Sequence, residues 1–109
     1  GVATGKLKKG DVILIEQQAP VCGGLCGASQ VGCGPVEYYQ AEFDAISVAT
    51  AKGIVVVQAA GNGNMNLDAG SCLGRFDRKQ RDSGAVIVGA GDADTHEKLS
   101  FSTYGSRVD

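Results

Sequence analysis

Three short runs of β-branched and aliphatic residues most constrain the fold of this chain. They lie at residues 11–16, 54–60 and 85–90, and glycine or glutamine follows each of them. Strands that are apolar at consecutive positions are typical of a parallel sheet that is covered on both faces. The sequence therefore predicts a mostly parallel sheet with at least three strands.

A helix is predicted between the first two strands. Gly34 and Pro35 mark its start, Glu37 lies favourably near the positive end of the helix dipole, and Lys52 and Gly53 mark its end. Strand, helix and strand in this order form the crossover unit of an α/β fold. Apolar residues recur at three- and four-residue steps, as one buried helix face requires: Val36, Tyr39, Phe43, Ile46 and Ala49.

Two long stretches between these elements are predicted to be loops. Residues 19–35 are rich in Gly, Cys, Ser and Pro. Residues 61–83 are rich in Gly, Asn, Asp and Arg, and only Leu67, Leu73 and Phe76 are available to anchor this second stretch. Loops of this length in a compact domain are usually functional. Residues 99–108 alternate weakly, which predicts either an added edge strand or a segment that lies across the sheet.

Composition excludes several classes of partner and cofactor. The chain is 43% apolar, carries a net charge of −2, and has scattered basic residues apart from Lys6, Lys8 and Lys9, so we expect no nucleic-acid and no membrane partner. No apolar run approaches the ~20 residues of a membrane span. The glycines at 89 and 91 match a dinucleotide motif weakly, because no third glycine and no helix follow, and no cofactor is predicted. Turn carboxylates at 92, 94 and 97 are expected to face water rather than a metal.

The four cysteines, Cys22, Cys26, Cys33 and Cys72, favour disulfides over zinc. Structural zinc prefers closely spaced cysteine pairs at both ends of the site, and Cys72 stands alone. Both cysteine-bearing loops leave the carboxyl ends of strands that should be neighbours, so Cys72 is expected to reach one of the other three. Three pairings of two bridges remain open. Four cysteines suit an oxidising compartment, although their number alone does not fix it.

Asn62 follows the second strand directly, at the place where α/β sheets collect their chemistry. Its amide offers two N–H donors, which could stabilise an oxyanion if a nucleophile lay about 3 Å from the same reacting carbon. The alternative is that Asn62 and Gly63 only form a tight turn. Spacing alone favours the turn.

Several segments resemble the subtilisin-like serine proteases in order and spacing over most of the chain. They are residues 11–15, 45–53 (AISVATAKG), 54–62 (IVVVQAAGN), 83–90 (SGAVIVGA) and 99–105 (LSFSTYG). The strand that ends in Ala-Ala-Gly-Asn is a fairly specific mark of that family. The resemblance implies a three-layer α/β domain with a mostly parallel sheet, of which residues 1–109 would be the central part. It also implies a secreted endopeptidase that cleaves peptide bonds through an acyl-enzyme.

The resemblance implies roles for residues at the ends of two strands. Asn62 would be the oxyanion-hole donor, and the residues before it would form one wall of the primary specificity pocket: Ala59, Ala60 and Gly61. The segment from Gln17 and Gln18 to Pro20 would pair with the substrate backbone. There the usual Ser-Leu-Gly-Gly of the family is replaced by Gln-Gln-Ala-Pro.

The catalytic triad of that family has no counterpart in these residues. The motifs of its Asp and His precede the matching region and its Gly-Thr-Ser motif follows it, so we expect a piece of a longer enzyme that is inert alone. His96 lies in a polar turn without the Gly-Thr context, and we expect a solvated surface side chain. The alternative function is a non-catalytic α/β module that binds a peptide or protein through the carboxyl-end loops. Open edges of a cut sheet would also favour self-association.

Overall fold

The computed structural model describes residues 7–109; residues 1–6, with Lys6 and the start of the predicted domain, lie outside this part. The strands are β1 (Val12–Ile15), β2 (Gln18–Pro20), β3 (Cys33–Pro35), β4 (Val55–Ala59) and β5 (Val86–Val88). The helix α1 spans Gln40–Ala51, and two short 3₁₀ turns span Val36–Tyr38 and Gly70–Cys72. The predicted α/β class is confirmed.

The larger sheet is parallel throughout, with β4 in the middle and β1 and β5 at its edges. Val12 lies opposite Val55, and Val57 lies opposite Val86. The β1–α1–β4 crossover is therefore the predicted one. From β4 to β5 the chain crosses through residues 60–85, where the only helical element is a 3₁₀ turn.

The two faces of this sheet differ in their cover. One face packs on α1. The core on this side consists of Ile46 and Ala49 from the helix together with Ile54, Val56 and Ala85. The opposite face carries valines and a leucine that are exposed by 39–63%, where cover on both faces was expected: Val12, Leu14, Val55, Val86 and Val88. Among residues 7–109 no second helix covers this face, so the described part has two layers of the implied three.

The prediction that residues 19–35 form an irregular loop is wrong at both ends of the stretch. β2 and β3 pair there as an antiparallel two-stranded sheet, with Ala19 opposite Gly34. Strands of three residues are too short to show an alternating pattern, which is why the sequence did not reveal them.

The start of the helix also differs from the prediction. Glu37 lies in the first 3₁₀ turn and is fully buried, and Tyr39, in extended conformation, precedes the α-helix. Glu37 therefore accepts hydrogen bonds from buried donors, whereas the sequence predicted an interaction with the helix dipole. The C-terminal end agrees with the prediction, because Lys52 caps the helix and Gly53 follows in the left-handed region at φ +83°.

A second, smaller core lies under the two long loops. Val21, Leu67 and Phe76 pack there around the bridge between Cys22 and Cys72. Leu73, the third expected anchor, is exposed. Within residues 99–108 Tyr104 forms an isolated bridge with Asn66, and Lys98, just before this segment, forms one with Gly91. No strand is assigned to residues 99–108, so this described segment adds no edge strand.

Candidate functional site

The carboxyl ends of β1 and β4 bring the predicted site residues together. Because these strands are parallel neighbours, Gln18 after β1 and Asn62 after β4 lie at the same edge of the sheet. The backbone N–H of Asn62 donates to Oε1 of Gln18 at 2.7 Å. The segment expected to bind the substrate backbone therefore contacts the expected oxyanion donor directly.

Three side-chain amides, of Gln18, Gln30 and Asn62, form what we call the carboxamide cluster. Oε1 of Gln30 accepts a hydrogen bond from Nε2 of Gln18 at 2.6 Å and another from Nδ2 of Asn62 at 3.2 Å. Asn62 is exposed, and no described residue accepts its second Nδ2 proton. Its amide is thus held on one side and free to donate on the other.

Sequence reasoning missed Gln30 because it lies in a stretch with no periodicity. The one signal that could have indicated it is its position between Cys26 and Cys33, which are bonded to each other. Its backbone has φ +64° and is fixed by two hydrogen bonds, from N–H of Gln30 to the carbonyl of Gly27 and from N–H of Cys33 to the carbonyl of Gln30.

The glycines on both sides of Asn62 allow a close backbone approach. A Cβ on Gly63 would lie 2.1 Å from the carbonyl oxygen of Cys33, and one on Gly61, whose φ is +100°, would lie 2.9 Å from the same oxygen. Thr103 Oγ1 donates to that oxygen at 2.8 Å. Asn62 therefore projects from a segment packed on β3, which a simple tight turn would not require.

The residues predicted to form the pocket wall differ in exposure. Ala60 is fully buried, and its N–H donates to the carbonyl of Val88, whereas Ala59 and Gly61 are partly exposed. Ala59 lines a shallow apolar depression of about 260 Å³ on the uncovered sheet face, together with Leu14 and Val88. In the described residues, Ala59 is the part of the wall that faces this depression.

The predicted substrate-pairing segment already has one partner. Gln18–Pro20 pairs with Cys33–Pro35 along one edge, and the hydroxyl of Tyr39 donates to the carbonyl of Pro20. The exposed Gln17 lines a groove of about 550 Å³ beside β2, which the sequence did not predict. Its other lining residues are mostly apolar: Ile15, Ala19, Pro20, Val36, Tyr39, Ala45 and Ile46, with Glu42.

All four cysteines are bonded, and the pairing left open by the sequence is Cys22–Cys72 and Cys26–Cys33. Their Cα atoms are 4.3 Å and 4.6 Å apart. The first bridge joins the two long loops, and the second closes the short loop that carries Gln30. In residues 7–109 no group of three or more His, Cys, Asp and Glu side chains is arranged to hold a metal ion.

A buried network of charged and polar side chains surrounds Glu37, and the sequence did not predict it. Oε1 of Glu37 accepts hydrogen bonds from Nε2 of Gln58 at 2.5 Å, from Oγ of Ser83 at 2.7 Å and from Nη2 of Arg107 at 3.3 Å. Both charged side chains of this pair are fully buried. Gln58 belongs to β4, so the network anchors the strand that presents Asn62.

Asp109 extends the network toward the surface. Its carboxylate accepts hydrogen bonds from the N–H of Ile87 at 2.9 Å and from Arg107 at 3.1 Å, and it pairs with Arg78. Burial alone would raise the pKa of Asp109, but the Ile87 amide and the charges of Arg78 and Arg107 outweigh burial and lower this pKa.

The turn at residues 92–97 is remote from this chemistry. His96 is exposed, as expected, with a backbone φ of +61°. The Asp92 carboxylate accepts hydrogen bonds from the amides of Thr95 and Asp94, which lower its pKa. This carboxylate thus organises the turn.

No family model matches this sequence, and neither a curated protein nor a solved structure shows significant similarity to it. Within the described residues, no helix is long and apolar enough to cross a bilayer. The functional interpretation of the chain therefore depends on its own motifs and geometry.

Proposed function

We propose that this chain is the central part of the catalytic domain of a secreted, subtilisin-like serine endopeptidase. Asn62 donates a hydrogen bond to the oxyanion, Gln17 and Gln18 contact the peptide substrate, and parts of the protein beyond these residues supply nucleophile and base. One observation carries the proposal. An exposed carboxamide with an unused N–H stands at the carboxyl end of a central parallel strand, beside the end of its neighbour.

The geometry suits stabilisation of a tetrahedral intermediate. When a serine attacks a peptide carbonyl, negative charge develops on the carbonyl oxygen, and a donor aimed at that position lowers the barrier. A donor that is already oriented does not have to reorganise during the reaction. The hydrogen bond from Nδ2 of Asn62 to Gln30 provides that orientation, and the bond from its backbone N–H to Gln18 holds the backbone beneath it.

Other features of the fold support this proposal. The uncovered valine face of the sheet is where a third layer would pack in a complete domain. Two disulfides are compatible with secretion. Among residues 7–109, β1 pairs with β4 alone, and this edge supports the expectation that isolated copies of this piece associate through their sheets.

The test is peptide hydrolysis by the complete protein that contains this chain. Asn62→Ala should lower kcat by about 10²–10³-fold with little change in KM, which is the magnitude known for loss of the equivalent donor in subtilisin. Asn64→Ala is the matched control, because Asn64 is also exposed and only two residues away. An Asn62→Ala enzyme with full kcat, or a wild-type protein without serine-dependent peptidase activity, would contradict the proposal.

The groove beside β2 favours a second candidate, a non-catalytic module that binds an extended peptide. It offers about 550 Å³ of mostly apolar space next to β2, which among the described residues pairs with one other strand only, and an extended peptide could add to such a strand. This candidate predicts that the complete protein binds peptides without cleaving them. It also predicts that Asn62→Ala leaves the affinity unchanged.

A further inference from the structure

We infer that Gln30 is a positioning residue that orients the Asn62 carboxamide for oxyanion binding. This inference rests on the function proposed above. Oε1 of Gln30 accepts one Nδ2 proton of Asn62 at 3.2 Å. Because the amide group is planar, fixing one proton also fixes the direction of the other, which is the proton available to a substrate oxygen.

The side chain of Gln30 is itself held in place. Its Oε1 accepts a second hydrogen bond, from Nε2 of Gln18 at 2.6 Å, and Oε1 of Gln18 in turn accepts the backbone N–H of Asn62 at 2.7 Å. The three residues therefore form a closed ring of hydrogen bonds. Rotation of the Asn62 amide would break at least one of them.

The backbone beneath Gln30 is fixed by a covalent loop. The Cys26–Cys33 bridge spans a sequence separation of seven, and the N–H of Cys26 donates to the carbonyl of Val31 inside it. The N–H of Gly32 donates to the carbonyl of Gly63, one residue beyond Asn62. Gln30 and Asn62 are thus presented to each other by two segments that are bonded directly.

The arrangement gives Gln30 a different role from Asn62. Gln30 acts on the reacting oxygen only through Asn62, so its removal should misdirect the donor without deleting it. Small misplacements of a catalytic group cost less than its loss but are still readily measured. We expect Gln30→Met, which keeps the length of the side chain but accepts no such hydrogen bond, to lower kcat by about tenfold with KM nearly unchanged.

The experiment is a double-mutant cycle in the complete protein with a peptide substrate. Gln30→Met should lower kcat in the wild-type background and have no further effect in the Asn62→Ala background. Gln40→Met is the matched control, because Gln40 lies on α1 and bonds Asp44 and Arg81 instead. An unchanged kcat of Gln30→Met would overturn the inference. A loss of kcat on adding Gln30→Met to Asn62→Ala that is as large as its loss in the wild-type background would also overturn it.

The failure of this inference differs from the failure of the proposed function. If Asn62→Ala has no effect on kcat, the proposed function and the role of Gln30 are both contradicted. If Asn62→Ala lowers kcat while Gln30→Met does not, only the role of Gln30 is contradicted. A measurement on the wild-type protein covers the case in which Gln30→Met does not fold. The side-chain amide protons of Asn62 should exchange with solvent more slowly than those of Asn64, and equal rates would contradict the inference.

Discussion

Replacement of Arg107 by methionine should destabilise this protein more than any change to its surface ion pairs. Met matches the apolar stem of Arg but ends before the guanidinium, so the variant removes the buried charge and its hydrogen bonds and leaves a small void where the guanidinium lay. Arg107 pairs with Glu37 at 3.3 Å, and neither side chain has any exposed area. The variant would leave the Glu37 carboxylate buried with two neutral donors, Gln58 and Ser83.

The expected cost follows from these contacts. Removal of one partner from a buried ion pair typically costs about 3–5 kcal/mol, because the other charge stays behind in a medium that solvates it poorly. Arg107 also donates to the carbonyl of Ala85 at 2.8 Å, and a buried carbonyl without a partner costs about 1–3 kcal/mol. These terms overlap, so we expect about 4 kcal/mol in total. Native proteins have only about 5–15 kcal/mol of unfolding free energy.

Urea unfolding followed by circular dichroism, with the disulfides intact, measures this difference. At a slope of about 2 kcal/mol/M, the midpoint should fall by about 2 M. Arg78→Met is the matched control, because Arg78 pairs with the same Asp109 at the surface and such pairs contribute about 0–1 kcal/mol. A midpoint for Arg107→Met equal to that of Arg78→Met would refute the reasoning.

The companion variant is Glu37→Gln combined with Arg107→Met. Glutamine keeps an oxygen that accepts from Gln58 and Ser83, and it removes the unpaired charge. Glu37 Oε2 and Arg107 Nε already lack hydrogen-bond partners among the described residues, so the native pair is not fully compensated. The double variant should therefore be more stable than Arg107→Met alone, and lower stability would show that the charge is not the source of the cost.

Two further predictions concern the disulfides and acid. Loss of the Cys22–Cys72 bridge, which spans a sequence separation of 50, should cost about 4 kcal/mol of unfolding free energy by loop-closure entropy. Loss of the Cys26–Cys33 bridge, with a separation of seven, should cost about 2 kcal/mol. Urea unfolding of the two paired Cys→Ser variants would test this difference, and an equal cost would contradict it. Because the pKa of Asp109 is lowered in the folded protein, its contribution to stability is present above the unfolded value of about 3.9 and is lost as the pH falls through the lowered value. Asp109→Asn should flatten the dependence of the midpoint on pH below about 4, and an unchanged slope would contradict this.

The sequence predicted those elements whose cause is local. Consecutive aliphatic residues specify β1, β4 and β5, and Gly53, in the left-handed region, ends α1 where expected. The parallel order of β1 and β4 follows from the crossover helix between them. From these elements alone, the position of Asn62 at the carboxyl edge could be predicted.

The rest depends on contacts between residues that are distant in the sequence. Glu37 accepts hydrogen bonds from residues 21, 46 and 70 positions away, and no local pattern separates such a glutamate from one that favours a helix dipole. Gln30 accepts a hydrogen bond from Asn62, which is 32 positions away in the sequence. Residue types could not indicate these partners, because each becomes a neighbour only after the sheet has formed.

Two buried hydroxyl residues near position 103 contribute to the packing of the candidate site. Ser102 and Thr103 are almost fully buried, and neither side chain reaches Asn62 itself. The Thr103 hydroxyl accepts from the N–H of Gly63 at 3.3 Å and donates to the carbonyl of Cys33 at 2.8 Å, so it joins the segment that carries Asn62 to the loop that carries Gln30. The hydroxyl of Thr103 thus holds together the two segments that present the carboxamide cluster. This support matters because an exposed amide at a strand end keeps its direction only when the backbone beneath it is packed.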